Sequence, residues 1–154
     1  MRFVREGIVL AALVGIAAAV AFAWPGRPSG APPKPPDAMH PPPAWIETQT
    51  TSRWLAYGSY CWHSRPGRAA CVDMLPPATR PGLPMLRTAR AVGIRVHMAF
   101  RATTVSISVG GKAVAAKLDA SRRVLSWQAN RAGVLVIDVR GVGGDASYVG
   151  RLQL

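Results

Sequence analysis

Acidic residues are scarce in this chain. Seven Asp and Glu stand against 19 Lys and Arg, for a net charge of +12 over 154 residues. From Trp45 onward the five acids, Glu47, Asp73, Asp119, Asp138 and Asp145, are isolated from one another, so nothing points to a glycosidase-type carboxylate pair. Nucleophile signatures are missing too: there is no Gly-x-Ser-x-Gly and no Ser-x-x-Lys. Gly110-Gly111-Lys112 lacks the further glycine spacing and the following Ser or Thr of a phosphate loop, and reads as a hairpin turn. Histidine occurs three times, at 40, 63 and 97, and a general base needs a partner that linear order does not supply. These absences argue for a chain that is not an enzyme and that holds no cofactor.

Long apolar runs are also absent, with one exception. Gly7 to Trp24 carries no charged residue over 18 positions, just long enough for a membrane-spanning helix. Arg2 and Arg5 precede it, and the next basic residue, Arg27, comes only after Pro25. That bias predicts a single-pass signal anchor over residues 1–24, N-terminus cytoplasmic and the remainder extracytoplasmic. Ala21-Phe22-Ala23 offers an alternative, cleavage after Ala23 and secretion. Residues 25–44 contain nine prolines, which rules out a helix or a paired strand. An extended spacer of roughly 60 Å, lifting a domain off the membrane, is expected.

No cysteine precedes position 61, which excludes lipid attachment at a signal-peptide cysteine. Cys61 and Cys71 are the only two, and an even count in an exported domain predicts a disulfide. Its loop is worth on the order of 2–3 kcal/mol. A metal site is disfavoured, since only His63 and Asp73 lie nearby, and a redox pair is disfavoured by the lack of Cys-x-x-Cys. Cys61 to Pro84, with five prolines and two glycines, reads as a long irregular excursion whose base the disulfide would hold.

What is present from Trp45 to Leu154 is a period of two. Ile94, Val96, Met98 and Phe100 alternate with polar or small residues, as do Val105, Ile107 and Val109, and Leu135, Ile137 and Val139. Weaker strand signals cover 45–50, 54–63, 86–92, 114–119, 124–129 and 147–154. Turn residues separate them at 92–93, 110–112, 130–133 and 141–145. No 12-residue stretch has a helical period. Seven to nine short strands predict an all-β, antiparallel immunoglobulin-like sandwich, with a small barrel as the other option.

Two features suggest contact with a ligand. Fifteen basic residues follow Trp45, a balance suited to polyanionic partners, although they form no dense run. Trp54, Tyr57, Tyr60 and Trp62 fall within nine residues, flanked by Arg53, His63, Arg65 and Arg68. Strand parity assigns Trp54, Tyr60 and Trp62 to the core and Tyr57 to the surface. Arg53, Tyr57, His63, Arg65 and Arg68 are therefore the candidate ligand contacts, as aromatic faces with guanidinium donors suit sugars and anionic polymers. Nucleic acid is not expected outside a membrane.

Gly58-Ser59-Tyr60-Cys61-Trp62, then Cys71-Val72-Asp73 and Pro76-Pro77, resembles small extracytoplasmic domains of Gram-positive bacteria that follow a lipoprotein signal or a single anchor. Gly133 to Val139 followed by Ser147-Tyr148-Val149-Gly150 resembles their last two strands. The resemblance covers about two thirds of residues 45–154 and implies an immunoglobulin-like sandwich, with no assigned activity and no site residues. The expected function is that of a membrane-anchored binding or scaffolding domain of the cell envelope, with an anionic envelope polymer or an envelope protein as partner. The alternative is an inhibitor or regulator of an extracellular enzyme such as a protease.

Overall fold

The computed structural model of the chain describes residues 24–65 and 67–154, the side chains of Ser64 and Arg65 excepted. The anchor expected over residues 1–24 lies outside the described residues up to position 23. Among the described residues, no helix is long and apolar enough to cross a membrane.

Alternation of apolar and polar residues builds twelve strands in the described residues: β1 (Ala44–Glu47), β2 (Ser52–Trp54), β3 (Ala56–Arg65), β4 (Arg68–Val72), β5 (Met85–Arg87), β6 (Gly93–Met98), β7 (Ala102–Val109), β8 (Lys112–Ala113), β9 (Lys117–Leu118), β10 (Val124–Gln128), β11 (Gly133–Gly141) and β12 (Gly144–Gln153). They form two antiparallel sheets. One has the order β2-β1-β6-β10-β9, the other β4-β3-β12-β11-β7-β8, with β5 added parallel to β12. The three strongest alternations of the sequence are β6, β7 and β11.

Both sheets bury one face. Ile46, Ile94, Val96 and Leu125 of the smaller sheet lie at 1% exposure or less, as do Leu135, Ile137 and Tyr148 of the larger. Burying each such aliphatic side chain stabilises the fold by about 1.5–3 kcal/mol. The chain passes repeatedly between the sheets, so each layer is assembled from strands distant in sequence. Gly110 and Gly111, at φ 56° and 72°, make the two-residue turn between β7 and β8, where left-handed backbone favours glycine.

Two weaker expectations change. The stretch 54–63 is split between sheets: β2 ends at Trp54 and β3 starts at Ala56. Residues 86–92 and 114–119 contribute only the short strands β5 and β9. Leu55 between β2 and β3 is 1% exposed, and its N–H donates to the Ala44 carbonyl, holding the crossing point.

The proline-rich segment does not stand free. Gly26 N–H donates to Glu47 Oε2 at 3.0 Å, Trp54 Nε1–H to the Gly30 carbonyl at 3.2 Å, and the Tyr148 hydroxyl to the Pro42 carbonyl at 2.5 Å. Residues 24–43 therefore run as a strap against the sandwich. Prolines leave backbone carbonyls without ladder partners, and side-chain donors of the sandwich meet them.

Candidate functional site

The five candidate contacts read from the sequence are divided by the fold. Arg53 is exposed on β2, in the smaller sheet; His63 and Arg68 are exposed on β3 and β4, in the larger. The side chain of Arg65 lies outside the described residues. Tyr57 is in the core, at 3% exposure, which corrects its assignment to the surface. The reason is a bulge. Tyr60 faces Ala146 and Tyr57 faces Tyr148, so three steps on β3 match two on β12. Parity flips there: Leu55 and Tyr57 point inward on one side, Tyr60 and Trp62 on the other, so Trp54, next to Leu55, faces outward, which corrects its assignment to the core. At the bulge Gly58 comes so near Ser147 that an added Cβ would stand 2.7 Å from that residue's own.

Burial also governs the phenols. Tyr57 is pushed up to about 12, by desolvation first and by Tyr60 second. Desolvation likewise raises Tyr60, with Asp37 adding to it, and Tyr148, with Tyr57 adding to it.

Cys61 and Cys71 are bonded, as expected, with Cα atoms 4.0 Å apart. Their setting differs from the expectation. They face each other across β3 and β4, so the disulfide staples a paired hairpin whose register shifts between Trp62 and Arg65, and the stretch without strand pairing is confined to residues 73–84. Pro66-Gly67 is a turn signal within a longer proline-rich region, which hid the second strand. Within 73–84, Arg80 donates from its guanidinium to the Tyr57 carbonyl and pins the stretch to β3.

The most organised polar cluster was not legible in the sequence. It lies on the outer face of the smaller sheet. Trp54, Trp45 and His97 sit side by side across β2, β1 and β6; Ser52, Glu47 and Arg95 form the next row. The Trp45 indole stacks on the His97 ring at 4.7 Å with planes 3° apart, and meets Trp54 edge-on at 5.8 Å. His97 Nε2–H donates to Glu47 Oε1 at 2.7 Å, and Glu47 is 1% exposed. The strap covers this face. Arg27 lies over the Trp54 ring at 4.9 Å, and Arg95 over the Trp24 ring at 3.8 Å. The Trp45 indole N–H is buried there without a hydrogen-bond partner. Alternation does place Trp45 with Glu47 and Arg95 with His97. What brings the two pairs together is a strand pairing across 50 residues.

The acids that looked isolated are largely committed to structure. Asp119 accepts from Ser121 Oγ and from the N–H groups of Val124 and Arg123, and is held down to about 2, with the Ser121 bond the main cause. Asp138 accepts from Ser147 Oγ at 2.6 Å, and Asp145 pairs with Arg140 at 2.6 Å. The Arg140 guanidinium holds the Asp145 carboxyl below the usual range. Among the described residues no three His, Cys, Asp or Glu side chains gather to hold a metal ion.

Two depressions accompany these faces. A groove of about 620 Å³ opens at the edge where β8 gives way to β9; Val109, Val114 and Trp127 line it, with Lys117 and Arg131 also present. A shallower one of about 320 Å³ covers Asp138, Ser147 and the Arg140–Asp145 pair. Compared with protein-family models, with curated proteins and with solved structures, the chain matches none.

Proposed function

We propose that this chain is a binding domain of the cell envelope, held at the outer face of a membrane, which engages an anionic envelope polymer. The observation that carries the reading is unneutralised positive charge. Among the described residues, Arg140 is the one Arg or Lys that pairs with a carboxylate, whereas the chain has 19 basic residues to seven acidic. Cations without partners raise the local potential and attract polyanions. The disulfide-stapled hairpin, with His63 and Arg68 exposed, is the contact region.

The apolar run before Pro25 serves in this reading as a single-pass anchor with the sandwich outside, or as a leader cleaved after Ala23. The two packed antiparallel sheets support an immunoglobulin-like arrangement of the kind seen in small domains of Gram-positive envelopes.

Binding of the purified, disulfide-intact chain to isolated cell-envelope material across a salt titration tests the proposal. Saturable binding that falls steeply with salt is expected. The double variant R65A/R68A should bind about thirtyfold more weakly, since each of the two lost cation contacts with a polyanion is worth on the order of 1 kcal/mol. Absence of binding at low salt rejects the polymer as ligand. Unchanged binding by the double variant removes the hairpin from the contact.

A further inference from the structure

The strap and the face beneath it have the parts of a peptide-recognition site. Recognition of proline-rich strands uses aromatic-lined grooves, where the ligand has few carbonyls already bonded and little entropy to lose. Here Trp54 donates its indole N–H to the Gly30 carbonyl and stacks on Arg27. Pro25 and Pro28 line a depression of about 270 Å³ with Thr50, Ser52 and Trp54. Glu47, buried among these groups, accepts from the Gly26 N–H. Side chains of β1, β2 and β6 thus make the hydrogen bonds and cation–π contacts to residues 24–30, while Thr50 of the β1–β2 turn and Ser126 and Gln128 of β10 line the space beside them.

A second observation shows that this occupant is an imperfect one. The outer face of the smaller sheet carries two indoles, Trp54 and Trp45, and the strap supplies an acceptor to that of Trp54 only. The Trp45 N–H stays buried without an acceptor, a state native structures rarely tolerate. Pro25, Arg27, Ser29 and Gly30 are exposed, and residues 24–30 are held to the sheet by polar and cation–π contacts of Gly26, Gly30, Arg27 and Trp24, not by burial in the core.

We propose that the outer face of the smaller sheet is a binding site for an extended, proline-rich peptide carrying an aromatic residue and, three positions on, an arginine. The chain's own residues 24–30 fill it as a displaceable intramolecular ligand. A partner strand of this chemistry takes the strap's place, setting carbonyls against both indoles. Occupancy in cis lowers the apparent affinity for a partner by the ratio of covered to uncovered states.

The test uses the full chain in detergent and a labelled peptide of residues 24–31, Trp-Pro-Gly-Arg-Pro-Ser-Gly-Ala, read by fluorescence anisotropy. W24A/R27A, which loosens the strap, should bind the peptide about tenfold or more tightly than the unaltered chain does. R27A alone changes one exposed side chain and should tighten binding by a smaller factor, so the test survives poor folding of the double variant. Adding W54F to W24A/R27A keeps a ring but removes the indole donor, and should weaken binding about tenfold, the size of one hydrogen bond. Equal affinity in all strap variants, absence of binding in any of them, or full binding with W54F present overturns the proposal.

Discussion

Replacing His97 isolates the energetics of the outer face. Glu47 is 1% exposed and its carboxylate has two protein partners, His97 Nε2–H at 2.7 Å and Gly26 N–H at 3.0 Å. His97→Ala removes the shorter bond and leaves a buried carboxylate half satisfied. Removing one partner of a buried pair costs about 3–5 kcal/mol. The His97 side chain is 22% exposed, so water can enter the vacated space and offset part of this cost, leaving about 2–3 kcal/mol. The parallel stack on Trp45 adds about 1 kcal/mol. The expected loss is therefore about 3–4 kcal/mol for His97→Ala and about 2–3 kcal/mol for His97→Phe, which keeps a stacking ring. Combining His97→Phe with Glu47→Gln removes the buried charge together with its partner. The double variant should be less destabilised than the sum of the two, with a coupling of about 1–2 kcal/mol. Urea unfolding followed by tryptophan fluorescence, disulfide intact, measures all four corners of the cycle. A His97→Phe protein within 0.5 kcal/mol of the parent, on the order of ordinary surface substitutions, would refute the reasoning.

Three further outcomes follow from the same structure. Reducing the Cys61–Cys71 bond should cost about 2–3 kcal/mol in a thermal melt, because the hairpin it staples is exposed and its effect lies in the unfolded chain; thiol labelling of the native protein should find no free cysteine. Gly143→Ala should destabilise by about 1–3 kcal/mol, since a Cβ there would enter the Trp62 ring; an unchanged denaturation midpoint would show that the ring yields. The chain has three tyrosines, all buried and all raised, so phenolate absorbance of the native protein should stay flat through pH 10, where an unfolded phenol titrates. Their folded-state protons are held to higher pH, so this contribution is complete below pH 10 and is lost as pH rises towards about 12 at Tyr57; titration at the ordinary value in the native state would contradict their burial.

Much of the layer structure was legible because a period of two reports one buried face without needing the partner strand. β6, β7 and β11 follow from Ile94-x-Val96-x-Met98, Val105-x-Ile107-x-Val109 and Leu135-x-Ile137-x-Val139 alone. The disulfide was legible from the cysteine count. Tyr57 was misplaced because parity holds only along an unbroken strand, and the bulge at Gly58-Ser59 that resets it depends on Ser147, nearly 90 residues away.

Composition by itself settled that the chain is rich in unopposed positive charge and able to form one disulfide, and the period of two added the strands that follow residue 45. Tertiary structure alone decided the site. The Trp54–Trp45–His97 row and the buried Glu47 exist because β1 pairs with β2 on one side and β6 on the other. The proline-rich stretch became a strap because donors from remote strands reach its carbonyls. Local sequence dictates which face of a strand is apolar. It does not dictate which strands lie side by side, since that choice rests on contacts whose closure entropy depends only weakly on separation along the chain.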